Sequence, residues 1–298
     1  MERARIVVAG ASGLIGRALV RSLTADGHEV VRLVRREPRA ADEVRWDPRA
    51  GRVELPVCDA VVNLAGAGVG NRPWTRAYKE EIRASRVLGT RTLARALAGA
   101  QPRPRVFVNG SAVGYYGDTG QRAVDEDAPA GEGFLPSVCV EWESAAEPAR
   151  QAGVRTVSVR TGLVVAREGG AWGRLFPLFR AGLGTRLGDG RQYWSYVSLH
   201  DEVAAIRHLL DRDDLSGPFN VTAPEPLTNR EITAAMGRVL RRPAVLAAPA
   251  PLLRTVLGDM ASDVLGSQRV LPRRLLESGF AFAFPGIDDT IRAALDRG

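Results

Sequence analysis

Short apolar runs alternate, over the first 165 residues, with longer stretches in which apolar positions recur every three or four residues. Short apolar runs are typical of buried strands, and the longer pattern is typical of amphipathic helices. Strands that alternate with helices indicate parallel β-α-β units and a doubly wound sheet. The predicted strands are 5–10, 27–36, 59–66, 105–112 and 154–165, and the predicted helices begin at Leu14 and then cover 75–99 and 135–152.

The pattern changes after residue 165, where a stretch rich in glycine and arginine shows no clear period. Further on, two helices flank a short strand, and a proline-rich segment follows at 241–253. These features predict a main domain over 1–240, in which 165–195 contributes to a substrate cleft, and a small C-terminal lobe over 241–298.

Three glycines stand between the first predicted strand and the next helix, in the stretch IVVAGASGLIG. Gly10 permits a tight turn, Gly13 lets a pyrophosphate approach the backbone, and Gly16 lets the helix pack against the sheet. Free backbone N–H groups at the helix start and the helix dipole favour an anion there. The alternative is a glycine-rich turn that binds nothing. The residues predicted to bind a dinucleotide here are Gly10, Ser12, Gly13, Leu14, Ile15 and Gly16.

Two arginines follow the second predicted strand, at the place where many dinucleotide sites carry an acidic residue. An acidic side chain there accepts hydrogen bonds from a ribose 2′-hydroxyl, whereas a guanidinium group can hold a 2′-phosphate with two parallel hydrogen bonds. Arg35 and Arg36 therefore predict NADP(H) rather than NAD(H). The alternative is that both follow the composition, because arginine supplies every basic residue except Lys79.

Composition and charge narrow the possible partners. The net charge is +7, but the arginines are scattered among acidic residues without a basic run, so we predict no nucleic-acid partner. No apolar stretch is long enough to cross a membrane, and the strand pattern begins too early for a signal peptide. Cys58 and Cys139 have no metal or redox spacing. We therefore expect a cytoplasmic protein with a small-molecule substrate, no membrane partner and no metal.

Several further motifs resemble those of the extended short-chain dehydrogenase/reductases. NLAG resembles a motif that lines the adenosine side, and the resemblance implies that Leu64, Ala65 and Gly66 contact the cofactor. SRVLGTRTLARAL resembles a helix in which the family has asparagine at the position of Arg86. Arg86 and Glu81 are therefore expected near the cofactor; the alternative is a surface ion pair.

A narrower set of motifs resembles an atypical branch of that group, labelled epimerase family protein, whose C-terminal segment is a domain of unknown function. The motifs are VGYYGD, WESAA, NVTAPEPLTNREIT, RVLPRRLLESGFAFAFP and WTRAYKEEIRASRVLGTRTL. The resemblance implies NADP binding and an α/β protein with a Rossmann-like doubly wound parallel sheet and a small C-terminal lobe. Many relatives pair the helices matching 75–99 and 135–152 across a dimer, which makes a homodimer a candidate assembly.

The wider family uses a serine or threonine together with a Tyr-x-x-x-Lys pair, in which tyrosine transfers the proton and lysine lowers its pKa and holds the nicotinamide ribose. The only lysine, Lys79, has Thr75 four residues before it, so it cannot complete the pair. Matching the helix to the family places Leu135 and Cys139 at the tyrosine and lysine positions. The usual proton-transfer pair is therefore absent.

Other polar residues remain as candidates. GSAVGYYGD resembles the segment that carries the active-site hydroxyl, so Ser111 could polarise a substrate oxygen, and Tyr115 or Tyr116 could replace the acid. The alternative is a turn with packed aromatic rings. Asp201, in GDGRQYWSYVSLHDEVAAI, is expected to cap a helix. Residues expected on the substrate side, because relatives contact substrate with this segment, are Arg186, Arg191 and Trp194.

Two hypotheses follow from these residues. The first is an NADP-dependent oxidoreductase or epimerase-like enzyme that transfers hydride to or from a small polar substrate, for example a nucleotide sugar, held by Ser111. The second is a protein that binds NADP(H) without turnover, as a regulatory or partner-binding module. The missing tyrosine–lysine pair favours the second hypothesis.

Overall fold

The structure is a computed structural model that describes residues 3–296, so the last two residues of the predicted C-terminal lobe lie outside the described residues. Within that range the chain forms fourteen strands and eleven α-helices. The strands are β1 (Arg5–Ala9), β2 (Glu29–Val34), β3 (Glu43–Asp47), β4 (Arg52–Val53), β5 (Ala60–Asn63), β6 (Val106–Ala112), β7 (Arg155–Thr161), β8 (Leu163–Val165), β9 (Thr185–Leu187), β10 (Tyr193–Trp194), β11 (Tyr196–Ser198), β12 (Gly217–Val221), β13 (Leu227–Thr228) and β14 (Leu246–Ala248). The helices are α1 (Leu14–Ala25), α2 (Arg76–Gly99), α3 (Phe134–Ser144), α4 (Glu147–Gln151), α5 (Trp172–Arg180), α6 (Leu199–Asp211), α7 (Asn229–Leu240), α8 (Ala250–Leu257), α9 (Ala261–Leu265), α10 (Arg273–Glu277) and α11 (Ile287–Asp296).

Eight strands form one sheet in the order β12-β7-β6-β5-β1-β2-β3-β4. All neighbours are parallel except β3 and β4, which form an antiparallel edge. From β1 the chain builds towards β2 on one side and towards β5 on the other, so the strand order reverses between β1 and β5. In such sheets ligands bind in the crevice at the carboxyl ends of these strands. The prediction of a doubly wound parallel sheet is confirmed.

The strands are continuous apolar runs because helices cover both faces of the sheet. On one face, α1 and α6 pack together and place Leu19 and Ile206 against the strands. On the other face, α2, α3 and α4 cover the sheet, and Leu93 and Leu97 of α2 pack with Phe107. All five of these side chains are fully buried. This packing holds the strand ends, and therefore the crevice, in a fixed arrangement.

Element boundaries differ from the prediction where one glycine interrupts a strand. The predicted strand 154–165 is two strands, β7 and β8, separated by Gly162. A Cβ at Gly162 would stand 2.7 Å from the backbone oxygen of Ser195. The chain leaves the main sheet at this close approach, and β8 then pairs in parallel with β11. The predicted helix 135–152 is likewise two helices, α3 and α4.

The C-terminal residues share their core with earlier parts of the chain. Strand β14 pairs with β9, and α10 packs against β12. Ile287 and Ile291 of α11 pack in one cluster with Ile232 and Met236 of α7. The division at residue 240 stays a prediction, and the residues on its two sides pack into common clusters.

Candidate cofactor site and active site

The turn after β1 is built around a glycine that no other residue can replace without strain. Gly10 has φ +81°, and a Cβ there would stand 2.6 Å from the backbone carbonyl of Leu64. Gly13 donates its N–H to the Gly10 oxygen at 2.9 Å, and Gly16 packs on that same carbonyl. The turn therefore lies directly beside Leu64 and Ala65, at the ends of β1 and β5, as the two motifs together predict.

Helix α1 begins at this turn without a side-chain cap. Its N-cap is Gly13, no side chain accepts a hydrogen bond there, and the first turn carries no acidic residue. Ser12 and Gly13 are exposed. An uncapped helix start presents backbone N–H groups and a partial positive charge to an anion. Among the backbone N–H groups of residues 12–15, which the sequence predicts to be free, that of Gly13 donates to the Gly10 oxygen within the turn and is not free for a ligand.

The two arginines after β2 have different surroundings. Arg36 donates from Nη1 and Nη2 to the two carboxylate oxygens of Glu43, each at 2.7 Å. This pairing, with the Arg39 N–H, lowers the pKa of Glu43 to about 2. Arg35 is exposed and forms no ion pair within residues 3–296. The guanidinium free to meet a phosphate is therefore that of Arg35, whereas Arg36 already has a carboxylate partner.

The end of β5 carries the next group of predicted residues. Gly66 is exposed, and a Cβ on it would lie 3.1 Å from the guanidinium carbon of Arg86, which reaches over from α2. Glu81 does not pair with Arg86; its carboxylate bonds Arg49 in the turn after β3. The surface ion pair named as the alternative therefore exists for Glu81 but with Arg49 as its partner.

Ser111, at the end of β6, lies beneath α3 and hydrogen bonds to an acidic residue. Its Oγ donates to Glu143 Oε1 at 2.6 Å. Glu143 also receives Nε and Nη2 of Arg160 from β7, at 2.8 and 2.9 Å. Ser111 is 4% exposed and Arg160 3%. The Ser111 hydroxyl thus donates its proton to the carboxylate of a largely buried bidentate ion pair.

Tyr116 completes the same network and also points inward. Its hydroxyl donates to Asn220 Oδ1 at 2.8 Å and accepts from Arg160 Nη1 at 2.9 Å. Burial raises the pKa of Tyr116 to about 12, despite the nearby Arg160. The Arg160 guanidinium carbon lies 3.5 Å from the ring centre of Tyr115, whose ring also packs edge-on against that of Tyr116. This arrangement favours the packed aromatic turn over a tyrosine acid.

The helix positions matched to the family's tyrosine and lysine carry no group that exchanges a proton near neutral pH. Leu135 packs against Gly114, in the turn after β6. Cys139 directs its Sγ to the Ala112 oxygen at 3.8 Å, and burial raises the pKa of this thiol to about 12. Both positions therefore face the end of β6, but neither supplies an acid or a base.

A cleft of about 760 Å³ lies beyond these residues, between the starts of α2 and α3 and the C-terminal helices α8 and α9. Its walls include Trp74, Phe134, Leu135 and Asp263. Lys79 also lines it, and its Nζ bonds Asp259 at 2.6 Å across the cleft. Burial raises the pKa of Asp263 to about 6. This cleft has the size and mixed lining of a small-molecule site.

The residues predicted on the substrate side lie elsewhere. Arg186 is on β9, Arg191 is exposed in the following turn, and Trp194 on β10 packs against the C-terminal core. None of the three lines the cleft beside Leu135, nor a second cleft of similar volume between α1 and α11. Their role in substrate binding stays a prediction.

Several polar residues of the site were not found from the sequence. Glu143 stands in the motif WESAA, and Arg160 stands in a predicted strand, where a charged residue at a buried position needs a partner. Asn220 and Glu126 join the same network, since Glu126 Oε1 accepts the Asn220 N–H at 2.9 Å. Asp201 is not the cap of α6; Ser198 is the N-cap.

Asp201 instead ties the C-terminal segment to α6. Its carboxylate accepts hydrogen bonds from the N–H groups of Ala283 and Phe284, at 2.8 and 3.0 Å, and from the hydroxyl of Ser198 at 2.9 Å.

No helix within residues 3–296 is long and apolar enough to span a membrane. Across the same range, the structure contains no group of three His, Cys, Asp or Glu side chains placed to hold a metal ion.

The glycine turn, the uncapped helix and the strand reversal define the class: a Rossmann-like, dinucleotide-binding α/β fold. Residues 6–222 match the NAD dependent epimerase/dehydratase family, and residues 248–294 match a domain of unknown function (DUF1731). The chain belongs to the NAD dependent epimerase/dehydratase family.

Relatives with the same arrangement extend over the whole chain. Epimerase family protein Mb2239 of Mycobacterium bovis is 44% identical over 100% of this chain and 99% of its own length. Among solved structures, human epimerase family protein SDR39U1 with NADPH superposes with a TM-score of 0.92 at 34% identity, covering 98% of this chain and 99% of that one. A nucleoside-diphosphate sugar epimerase from Corynebacterium glutamicum has a TM-score of 0.81 at 32% identity, covering 99% of this chain and 58% of that one.

Proposed function

We propose that this protein binds NADP(H) at the ends of β1, β2 and β5, and that it holds the cofactor without the proton relay of its family. The residues present fit the cofactor. The Gly10 turn leaves a space that a Cβ would fill, the start of α1 is uncapped, and Arg35 has no carboxylate partner within the described residues. The human relative solved with NADPH supports the same choice of cofactor.

In this proposal each part of the site has a separate role. Backbone N–H groups at the start of α1 hold the pyrophosphate, and Arg35 holds the 2′-phosphate. Arg36 keeps its pair with Glu43 and so stiffens the turn that presents Arg35. When bound, the nicotinamide ring supplies a hydride donor or acceptor.

The single observation that carries the proposal is the closed network of Ser111, Glu143, Arg160 and Tyr116. Each hydroxyl in it is hydrogen bonded to another member or to Asn220. A tyrosine with a pKa of about 12 does not act as a base near neutral pH. The hydroxyls of Ser111 and Tyr116, at the ends of β6 and β7, therefore stabilise the fold, which argues against both as the proton-transfer groups of the site.

The test has two stages. Dissociation constants for NADPH and NADH are measured by titration with the whole protein, and we expect NADPH to bind at least about tenfold more tightly. NADPH absorbance is then followed in the presence of carbonyl compounds and nucleotide sugars. We expect no oxidation with wild type or Ser111→Ala. Turnover that disappears in Ser111→Ala would overturn the proposed absence of a proton relay. Equal affinity for NADPH and NADH would overturn the proposed preference for NADP(H).

A second candidate function is an NADP-dependent oxidoreductase or epimerase that acts on a small polar substrate in the cleft beside Leu135. The observation that favours it is Asp263, a half-buried carboxyl in that cleft whose pKa of about 6 suits proton transfer. Asp263 would give its proton to the substrate oxygen as the carbonyl carbon is reduced. A carbonyl reduction whose rate falls as the pH rises through about 6, and which Asp263→Asn abolishes, would establish this candidate.

A further inference from the structure

Arg86 is a desolvated cation whose charge has no carboxylate partner within residues 3–296. Its hydrogen bonds in that range all start from Nη1, which donates to the Ala67 oxygen at 2.9 Å and to the Ile82 oxygen at 3.1 Å. The guanidinium carbon lies 5.1 Å from the Trp142 ring centre. Burial lowers the pKa of Arg86. Two backbone carbonyls and an aromatic face compensate the charge of this half-buried guanidinium only in part.

Two other arginines near the strand ends are paired with a carboxylate, whereas Arg86 is not. Arg36 and Arg160 each hold a carboxylate with two parallel hydrogen bonds. The Nε and Nη2 atoms of Arg86 donate to no group within residues 3–296, and neither is among the fully buried polar atoms, so both remain accessible to a ligand. A guanidinium group that lies over a tryptophan ring and has two N–H-bearing nitrogens without a partner can donate to an oxygen acceptor from outside the chain.

The position of Arg86 indicates which part of a ligand it meets. The guanidinium lies against Gly66, which follows β5, and against Trp142 on α3, which covers β6. Arg35 lies on the opposite side of β1, after β2. A dinucleotide that has its 2′-phosphate at Arg35 and its pyrophosphate at α1 therefore extends its second half towards Arg86.

Position 139 gives a second reason for this assignment. Relatives are expected to carry a lysine there, and this chain has Cys139, whose buried thiol touches Ala112. Arg86 reaches the same part of α3, since its guanidinium carbon lies 5.1 Å from the ring centre of Trp142, three residues along the helix from Cys139. A cation is thus present beside this position, but it comes from α2 rather than from α3.

We propose that Arg86 anchors the nicotinamide–ribose–phosphate half of bound NADP(H), donating to its ribose and phosphate oxygens in place of the missing lysine. The inference rests on the proposed binding of NADP(H). The inference holds whether or not the protein catalyses a reaction, because the proposed contact only binds and orients the cofactor. Because the adenosine half is held by other residues, the contribution of Arg86 is separable from theirs.

The experiment compares NADPH with 2′,5′-ADP, which carries the 2′-phosphate but has no nicotinamide–ribose half. For Arg86→Gln, whose amide can still donate to the Ala67 oxygen, we expect NADPH affinity to fall about tenfold and 2′,5′-ADP affinity to change less than about twofold. Arg86→Lys keeps the charge and should lie between wild type and Arg86→Gln for NADPH. Arg35→Ala is the matched control, because it should weaken both ligands equally.

Equal losses for the two ligands, or no loss for either, would overturn the role of Arg86. If Arg86→Gln does not fold, the same comparison is made with Arg86→Lys, for which an unchanged ratio of the two dissociation constants is the contrary result. Failure of wild type to bind either ligand would instead overturn the proposed NADP(H) binding, so the two failures are distinct.

Discussion

Two neighbouring regions of the molecule, the ends of β1 and β5 and the ends of β6 and β7, use the same parallel strands in opposite ways. At the ends of β1 and β5 the turn is built around Gly10, and the start of α1 has no side-chain cap, so its backbone N–H groups can meet a ligand. At β6 and β7 Ser111, Tyr116, Glu143 and Arg160 bond one another, and all but the partly buried Glu143 are buried. Both regions have the polar residues of a site, but only the first leaves its donors open to a ligand.

Cofactor binding and proton transfer are therefore separable in this fold. Binding of a dinucleotide depends on backbone shape and on unpaired donors. Proton transfer depends on a side chain whose pKa lies near the working pH. A chain can therefore keep the first region and convert the second into a structural network, and substitutions in the two regions should have different consequences.

The largest expected effect comes from opening the network at β6 and β7. Glu143→Ala leaves the guanidinium of Arg160 buried without its carboxylate, and we expect a loss of about 3–5 kcal/mol in the free energy of unfolding. Urea denaturation measures it. Glu141→Ala, on the same helix, removes a half-exposed partner of Arg83 and should cost less than about 1 kcal/mol. Similar losses for the two variants would contradict a structural role for the network.

The next effect comes from filling the turn at β1 and β5. Gly10→Ala introduces a Cβ 2.6 Å from the Leu64 carbonyl at φ +81°, so we expect a cost above about 3 kcal/mol and loss of NADPH binding. Gly27→Ala is the control, because Gly27 has the same φ of +81° and nothing within 4 Å of its Cβ position. It should cost only about 1–2 kcal/mol and leave binding intact. Denaturation and titration separate the two variants.

A smaller change in the network tests the role of Tyr116. Tyr116→Phe should cost about 1–2 kcal/mol, because Asn220 and Arg160 each lose a partner, with NADPH affinity unchanged. The pKa of about 12 adds a pH dependence. The unfolded chain releases this proton near pH 10, so the stability supplied by Tyr116 is complete below about pH 10 and is lost as the pH rises towards 12. The difference in the free energy of unfolding between wild type and Tyr116→Phe should therefore decrease as the pH rises from about 10 to about 12.

The smallest expected effect distinguishes the two arginines after β2. Arg35→Ala should lower NADPH affinity about tenfold, leave NADH affinity unchanged and leave stability within about 0.5 kcal/mol of wild type. Arg36→Ala, in contrast, removes a partner of the buried Glu43, so it should lower the free energy of unfolding. Titration with both nucleotides checks the first variant. A larger change of the NADPH-to-NADH ratio in Arg36→Ala would move the phosphate contact to Arg36.

Much of the fold was predictable because the signals are local. The strands 5–10, 59–66 and 105–112 were found within a few residues, since buried parallel strands are short apolar runs. The break at Gly162 was not, because it depends on the approach of Ser195 from a distant part of the chain. The unassigned segment 166–195 contains α5 and two short strands, whose partners lie beyond residue 220.

The candidate site divides in the same way. The glycine spacing predicted the turn at Gly10, because φ above zero and close backbone approach are properties of glycine itself. Ser111 and Tyr116 have the residue types of a catalytic site, but the sequence does not show where their hydroxyls point. That direction is decided by Glu143 and Asn220, which lie 32 and 104 residues away along the chain.

The class of fold, the glycine turn, the arginines after β2 and the absence of the tyrosine–lysine pair could all be read from the sequence. Each of these depends on residue type and on spacing within one segment. The folded structure was needed to show that Arg36 is paired, that Arg35 and Arg86 keep donors available, and that the polar residues at the ends of β6 and β7 hydrogen bond to one another. A hydrogen bond or an ion pair depends on which distant groups the packing brings within about 3 Å, and no local pattern contains that information.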